Sequence, residues 1–388
     1  MKRFLLILLP LLLVFGMSLT AFAEETDLTT SSEAPGFTVN AKSAVLMEAS
    51  TGRILFAQNE TAAYSPASVT KIMTLLLVME AVDCKKASLD DKISVSEYAA
   101  SMGGSQVFLK EGEVMTLEEL LKCTVIASAN DAALALAEHI CGSESAFVSR
   151  MNARAGELGM KSSHFENVTG LDDTTENHVT SALDIALMSR ELLKHETILK
   201  YSALWQDSIR DGAFVLTNTN RLVRYYEGCN GLKTGSTAKA GYCVSATAKR
   251  QNMQLIAVVM GAESRDTRNA VARSLLDYGF GNFALYENAE AELEKVPVYG
   301  GCTDFVIAMN RPFSAVIDKA SAQNVELTYE IPEHLNAPVE KGSVIGKILY
   351  RIGEDTIGES EIYAAEGVEK ITFGEILLRL LKNILLGS

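Results

Sequence analysis

The strongest constraint on the fold is the order in which the apolar period changes along the chain. Ala44-Val45-Leu46-Met47-Glu48 and Arg53-Ile54-Leu55-Phe56-Ala57 are short strand-like runs, and Ser50-Thr51-Gly52 between them predicts a hairpin. Helical spacing takes over at Ser68–Val82, returns at Leu117–Cys141 and returns again at Ser181–Leu193. After Gly231 the pattern reverts to strands, Gly241–Ala248 and Met253–Met260, before a last helix over Arg268–Gly279. Strands at both ends with helices between them predict one α+β domain over residues 37–286, its first and last strands sharing a sheet.

Residues 287–365 read differently. Val296–Val298, Phe305–Ala308, Val325–Tyr329 and Ser343–Tyr350 are short β-rich runs punctuated by Gly, Asn or Pro, which predicts a small all-β domain. In the final segment, 366–388, Phe373, Ile376, Leu377, Leu380, Leu381, Ile384 and Leu385 recur at three- and four-residue steps. Glu375, Arg379, Lys382 and Asn383 take the other faces, so the segment is an amphipathic helix, too short and too charged to span a bilayer. Its apolar stripe has two destinations: the membrane interface or the protein's own β domain. The terminal position favours the membrane surface.

The N-terminus sets the compartment. Lys2 and Arg3, the apolar run Phe4–Phe15 and the small-x-small site Ala21-Phe22-Ala23 have the layout of a secretory signal peptide over residues 1–23. The other reading, an uncleaved anchor, has a short apolar stretch to work with. Residues 24–36, rich in Thr, Ser and Glu, read as a flexible leader. The expected location is therefore outside the cell, peripheral on the outer face of the cytoplasmic membrane. A formal charge of −14 argues against nucleic acid as a partner, because phosphate binding needs clustered Lys and Arg. Cys84, Cys123, Cys141, Cys229, Cys243 and Cys302 form no CxxC pair, and the five histidines include no HExxH. A zinc site is not expected, nor any other metal or cofactor; one or two disulfides after export stay open.

Ser68-Val69-Thr70-Lys71 is an SxxK tetrad preceded by Pro66 and followed by an apolar helical run. Three residues of separation put the two side chains on one helix face, where a neutral lysine amine can take the serine proton near the positive end of the helix dipole. The spacing alone says little, since Ser236-Thr237-Ala238-Lys239 repeats it in a turn between Gly235 and Ala240-Gly241. Two further motifs single out Ser68. Ser128-Ala129-Asn130 follows the apolar run Leu120–Ala127, and Lys233-Thr234-Gly235 enters the strand-rich half, where Gly235 would let substrate backbone approach a strand edge.

The order SxxK, SxN, KTG is the signature of active-site serine penicillin-recognising enzymes. With Gly170-Leu171-Asp172 and Ala240-Gly241-Tyr242, the chain resembles the low-molecular-mass D-alanyl-D-alanine carboxypeptidases of peptidase family S11 over nearly its whole length. The resemblance implies a penicillin-binding, β-lactamase-like catalytic domain and removal of the terminal D-alanine from peptidoglycan stem peptides, with β-lactams as covalent inhibitors. It implies Ser68 as nucleophile, Lys71 as general base with Lys233 lowering its pKa, and Ser128 as proton relay. Asn130 would hold the substrate amide and Lys71. The backbone N–H groups of Ser68 and Ser236 would meet the oxyanion, and Thr234 and Ser236 would face the terminal carboxylate. Arg268 matches a carboxylate-binding arginine of the family. A second arginine used by some members is Thr219 here, with Arg221 and Arg224 nearby.

Two competing readings remain at this point. A β-lactamase needs a glutamate-held water, and Glu166-Asn167-Val168-Thr169-Gly170 offers a glutamate and an asparagine. A non-catalytic envelope-binding module on the same fold would not need the full set Ser68, Lys71, Ser128, Asn130 and Lys233.

Overall fold

The computed structural model describes residues 36–386. The expected signal peptide (1–23) and all but the last residue of the expected leader lie outside the described residues. The central sheet contains β1 (Ser43–Glu48), β2 (Ile54–Gln58), β3 (Cys229–Thr237), β4 (Gly241–Arg250) and β5 (Met253–Ala262), in the order β2-β1-β5-β4-β3. Every neighbouring pair is antiparallel, and β1 meets β5 with Ser43 opposite Met260 and Met47 opposite Ile256. The near-continuous apolar runs of β1 and β5 follow from burial on both faces. Val45, Met47, Ile256 and Val258 point into one core; their alternating neighbours Ala44, Leu46, Leu255 and Ala257 point into a second.

Five helices bear on the site: α1 (Lys71–Asp83), α2 (Leu117–Ile126), α3 (Asn130–Cys141), α4 (Ala182–Leu193) and α5 (Arg265–Asn282). The first four pack into the first core and α5 covers the opposite face of the sheet. α1 is apolar all round because it runs through the middle of the helical layer; Ile72, Met73, Leu75, Leu76, Val78 and Met79 are each no more than 1% exposed. Truncating one of them, such as Leu76→Ala, would cost about 2–5 kcal/mol. Thr116 and Glu119 form a capping box that starts α2, and Ser181 and Ser264 cap α4 and α5 through their hydroxyls.

The periodicity predicts one helix over Leu117–Cys141, but the chain makes two. It breaks at Ala127-Ser128-Ala129, where Ser128 takes φ +63° and Ala129 is extended. The helix expected from Ser68 begins at Lys71, after a 3-10 turn over Ala67–Thr70.

The C-terminal strands are β6 (Phe283–Asn288), β7 (Glu292–Tyr299), β8 (Phe305–Asn310), β9 (Phe313–Asp318), β10 (Val325–Glu330), β11 (Leu335–Asn336), β12 (Val344–Ile352) and β13 (Asp355–Ala364). They form a six-stranded sheet, β10-β12-β13-β8-β7-β11, and a separate β6-β9 pair. β6 runs directly on from α5, and its Leu285 packs with Val316 of β9 in the core that α5 shares. Nothing in the sequence pattern predicts β13: Asp355, Glu359 and Glu361 point outward and only Ser360, Ile362 and Ala364 are buried. The last helix, α6 (Phe373–Leu386), is tied to the β domain where Arg379 donates to Asp304 (3.1 Å) and to the Cys302 carbonyl. Its Phe373, Ile384 and Leu385 are more than three-quarters exposed. No helix among the described residues is long and apolar enough to cross a membrane. All six cysteines are unpaired thiols.

Candidate active site

Ser68 stands in the 3-10 turn that leads into α1. Three residues per turn stack residue i on i+3, and Lys71 Nζ lies 3.0 Å from Ser68 Oγ. The same amine donates to Asn130 Oδ1 (2.5 Å) on α3 and to the Thr169 carbonyl (2.8 Å). These partners take all three protons of an ammonium; in the neutral amine the lone pair faces Ser68 Oγ, the one partner of the three that can donate. Lys71 is completely buried, and its pKa is held well below the usual lysine range. Burial is the largest cause and Lys233 the second; Asp131 opposes them. The sequence reading names only Lys233, because burial of a lysine cannot be read from a motif.

Lys233, Thr234, Gly235 and Ser236 lie along β3. Lys233 is also fully buried, and burial together with the Arg268 charge brings its pKa down to about 7. Thr234 Oγ1 donates to Thr219 Oγ1 (2.9 Å), so the threonine at the variable arginine position is attached to the KTG strand. Gly235 differs from expectation. A Cβ there would meet Ser68 N at 2.7 Å and Pro66 O at 2.9 Å, so the space the missing side chain leaves is filled by the protein's own nucleophile turn rather than kept for substrate backbone.

Ser68, Ser128, Thr234, Gly235 and Ser236 line one cavity of about 560 Å³. Its far wall is cationic, with Arg221, Arg265 and Arg268 beside Trp205 and Tyr225. Arg268 is 3% exposed; it donates to Asn269 Oδ1 through Nε (3.1 Å) and a terminal nitrogen (2.9 Å), and to the Cys243 carbonyl (3.4 Å). Burial and Arg265 lower its pKa to about 10. Among the described residues none of the three arginines is paired with a carboxylate. Arg224 is not part of the lining; it stacks over the rings of Trp205 and Tyr225, which are. Glu166 lines a different cavity, and its carboxylate accepts from Asn177 N (3.2 Å). Among the described residues no carboxylate lines the cavity of Ser68, so Glu166 does not stand where a lactamase would need it. Among the described residues no cluster of His, Cys, Asp or Glu is arranged to hold a metal.

Several contacts that build the site escape sequence reasoning. Gly170 has φ +82°, and a Cβ there would fall 1.8 Å from the Ala67 carbonyl oxygen. Asp172 accepts from Ser65 Oγ (2.9 Å) and Thr237 Oγ1 (2.5 Å), joining the approach to the nucleophile to the end of β3. Asp131 accepts from the backbone of Val107 and Leu109 and fixes the loop whose Gly103 carbonyl receives Asn130 Nδ2 (2.7 Å). Gly170 and Asp172 stand in the Gly-Leu-Asp tripeptide read from the sequence and Asp131 follows the SxN motif, but none of these contacts is visible there.

The family described as D-alanyl-D-alanine carboxypeptidase, peptidase S11, matches residues 28–264, and the C-terminal domain of penicillin-binding protein 5 matches residues 280–370. The D-alanyl-D-alanine carboxypeptidase DacF of Bacillus subtilis (strain 168) is 42% identical over 387 residues, covering 98% of each chain. DacC of Escherichia coli (strain K12), also a D-alanyl-D-alanine carboxypeptidase, is 31% identical, covering 92% of this chain and 90% of its own. Penicillin binding protein 5 from Haemophilus influenzae superposes with a TM-score of 0.76 at 30% identity, covering 87% of this chain and 100% of that one. Fold, site and relatives agree: the chain belongs to peptidase family S11, the low-molecular-mass penicillin-binding proteins that act on peptidoglycan as D-alanyl-D-alanine carboxypeptidases.

Proposed function

We propose that the reaction runs through an acyl-enzyme on Ser68. The observation that carries this is the 3.0 Å approach of a buried, pKa-lowered Lys71 amine to the Ser68 hydroxyl. Lys71 takes the hydroxyl proton as Ser68 Oγ bonds to the carbonyl carbon of the penultimate D-alanine. The oxyanion is held by the Ser68 and Ser236 N–H groups. The amide C–N bond then breaks, and the proton passes to the leaving amine of the terminal D-alanine with Ser128 as relay. Water hydrolyses the ester, and a β-lactam acylates the same oxygen. Asn130 holds Lys71 and the substrate amide, and Lys233 supplies positive charge. Thr234, Ser236 and Arg268 receive the terminal carboxylate, with Gly235 keeping β3 close to the nucleophile turn. Incubation with diacetyl-L-Lys-D-Ala-D-Ala and with benzylpenicillin tests the reading. D-alanine release and a penicilloyl mass increment on the Ser68 peptide, both lost in Ser68→Ala, are expected; an adduct on another residue, or neither product, overturns it.

We further infer that residues 1–23 direct export and that α6 lies on the outer face of the cytoplasmic membrane. Lys2, Arg3, the Ala21-Phe22-Ala23 site and the exposed Phe373, Ile384 and Leu385 support this. Flotation with anionic lipid vesicles, compared with a chain ending at Thr372, tests the helix. Equal flotation of the two would sink the anchor.

A further inference from the structure

His178 is completely buried and has no part in the reaction described above. Its two ring nitrogens are both engaged. Nδ1 faces the backbone N–H of Glu166 at 3.0 Å; an N–H can only donate, so Nδ1 is the unprotonated acceptor. A neutral ring then carries its proton on Nε2, which lies 2.8 Å from Thr70 Oγ1. Thr70 accepts that proton and uses its own to donate to the Ala67 carbonyl at 2.9 Å. Every bond in the series points the same way, from Glu166 through His178 and Thr70 to Ala67.

The end of the series is the peptide unit that carries the Ser68 N–H. In a planar trans peptide the C=O of one residue and the N–H of the next point in opposite directions. Whatever fixes the Ala67 carbonyl therefore aims the Ser68 N–H. That carbonyl needs fixing, because Ala67 sits at φ +49°, in the left-handed region where a residue with a Cβ is strained by about 1–2 kcal/mol. Gly170 packs against the same oxygen and beside Thr70 Oγ1, and Gly235 lies against Ser68 N.

We propose that His178 is a positioning residue for the oxyanion site: through Thr70 it locks the Ala67–Ser68 peptide so that the Ser68 N–H faces the reacting carbonyl. The proposal rests on the reading of Ser68 as nucleophile. Burial keeps the ring neutral, holding its pKa down to about 4, so the series keeps its direction at neutral pH.

Side-chain geometry separates the two bonds of the ring. Glutamine places an amide near the position of Nε2 and can still donate to Thr70; asparagine reaches only as far as Nδ1 and cannot. Removing an oxyanion donor costs about 10²–10³ in kcat, and a misdirected donor keeps part of its effect. His178→Asn and Thr70→Val are therefore expected to lower kcat and the rate of penicilloyl-Ser68 formation by about 10- to 100-fold, with KM within about twofold. His178→Gln and Thr70→Ser are expected to recover most of the rate. The double variant Thr70→Val/His178→Asn should be no slower than the slower single variant, because both break one series. If His178→Asn does not fold, the Thr70 pair carries the test. A folded Thr70→Val enzyme that acylates at the wild-type rate overturns the proposal, as does a loss confined to KM or additive losses in the double variant. Such results would leave the nucleophile reading intact, because that reading falls only if the adduct is absent from Ser68 in the wild-type enzyme.

Discussion

Lys71 Nζ lies 3.0 Å from Ser68 Oγ because Lys71 directly follows the 3-10 turn that carries Ser68 and its backbone N–H bonds to the Ser68 carbonyl; among the described residues no carboxylate bonds to that amine. Its activity as a base depends on losing a proton that burial and Lys233 already weaken. Acylation should therefore rise with pH and level off well below the usual lysine range of about 10.4. Lys71→Arg keeps the charge and cannot lose it, so penicilloyl formation is expected to fall by about 10³-fold. Stopped-flow acylation as a function of pH checks both points; an arginine variant within tenfold of wild type would remove Lys71 from the role of base.

The two glycines that frame the nucleophile turn should fail in different ways. Gly235→Ala places a methyl 2.7 Å from Ser68 N on the edge of the cavity, and either β3 or the turn must move. Acylation should drop, with a loss of melting temperature smaller than that of Gly170→Ala. Gly170→Ala places a methyl 1.8 Å from a buried carbonyl at φ +82°, where overpacking and left-handed strain add to about 3 kcal/mol. Thermal unfolding should show a large loss for Gly170→Ala. A Gly170→Ala protein as stable as wild type would contradict the packing described.

His178 also links stability to pH. Burial is the main cause of its depressed pKa of about 4; Glu166 and Asp172 oppose the shift, and His164 and Lys239 add to it. The unfolded chain, with a histidine pKa of about 6.5, binds the proton first as pH falls. The contribution is thus complete above about pH 6.5 and is lost progressively as pH drops to about 4, amounting to about 3 kcal/mol. Urea unfolding at pH 7 and pH 4, wild type against His178→Gln, isolates the effect from that of the carboxylates. Equal pH dependence in both proteins would rule it out.

Much of the site was legible before the fold because its chemistry is local. Ser68 and Lys71 must be three apart, Ser128 and Asn130 two apart, and Lys233, Thr234 and Gly235 consecutive on a strand. The flanking strands were legible because β1 and β5 are buried on both faces and so read as unbroken apolar runs. The 3-10 turn was not, since i and i+3 share a face in either helix and the run after Ser68 is apolar throughout. Nor was the break at Ser128, where Ala127 and Ala129 carry no Gly or Pro signal for a left-handed residue. Thr70 and His178 are 108 positions apart and Ser65 and Asp172 are 107 apart. Such contacts have no period to announce them. The tail's apolar stripe was plain, but its attachment through Arg379 and Asp304 depends on a tertiary contact.

The carboxylate end of the cavity yields the last prediction. Arg268 is buried, spends its hydrogen bonds on Asn269 and the Cys243 carbonyl, and meets no carboxylate among the described residues, while Arg221 and Arg265 are exposed at the same wall. A buried guanidinium without a counter-charge is costly, and a substrate carboxylate entering the cavity would relieve that cost. The enzyme should therefore prefer a peptide ending in free D-Ala carboxylate over its C-terminal amide, and Arg268→Gln should erase most of that preference. Losing one partner of a buried charge pair is worth about 2–5 kcal/mol, so kcat/KM for the free acid should fall by about 30-fold or more and that for the amide should barely move. Arg221→Gln and Arg265→Gln, on exposed side chains, should cost less and lose their effect at high salt. Measuring kcat/KM for both peptides in the three variants assigns the subsite. Retained discrimination in Arg268→Gln, with loss in Arg221→Gln, would transfer the carboxylate to the exposed arginine and leave Arg268 as a packing element of α5 against β4.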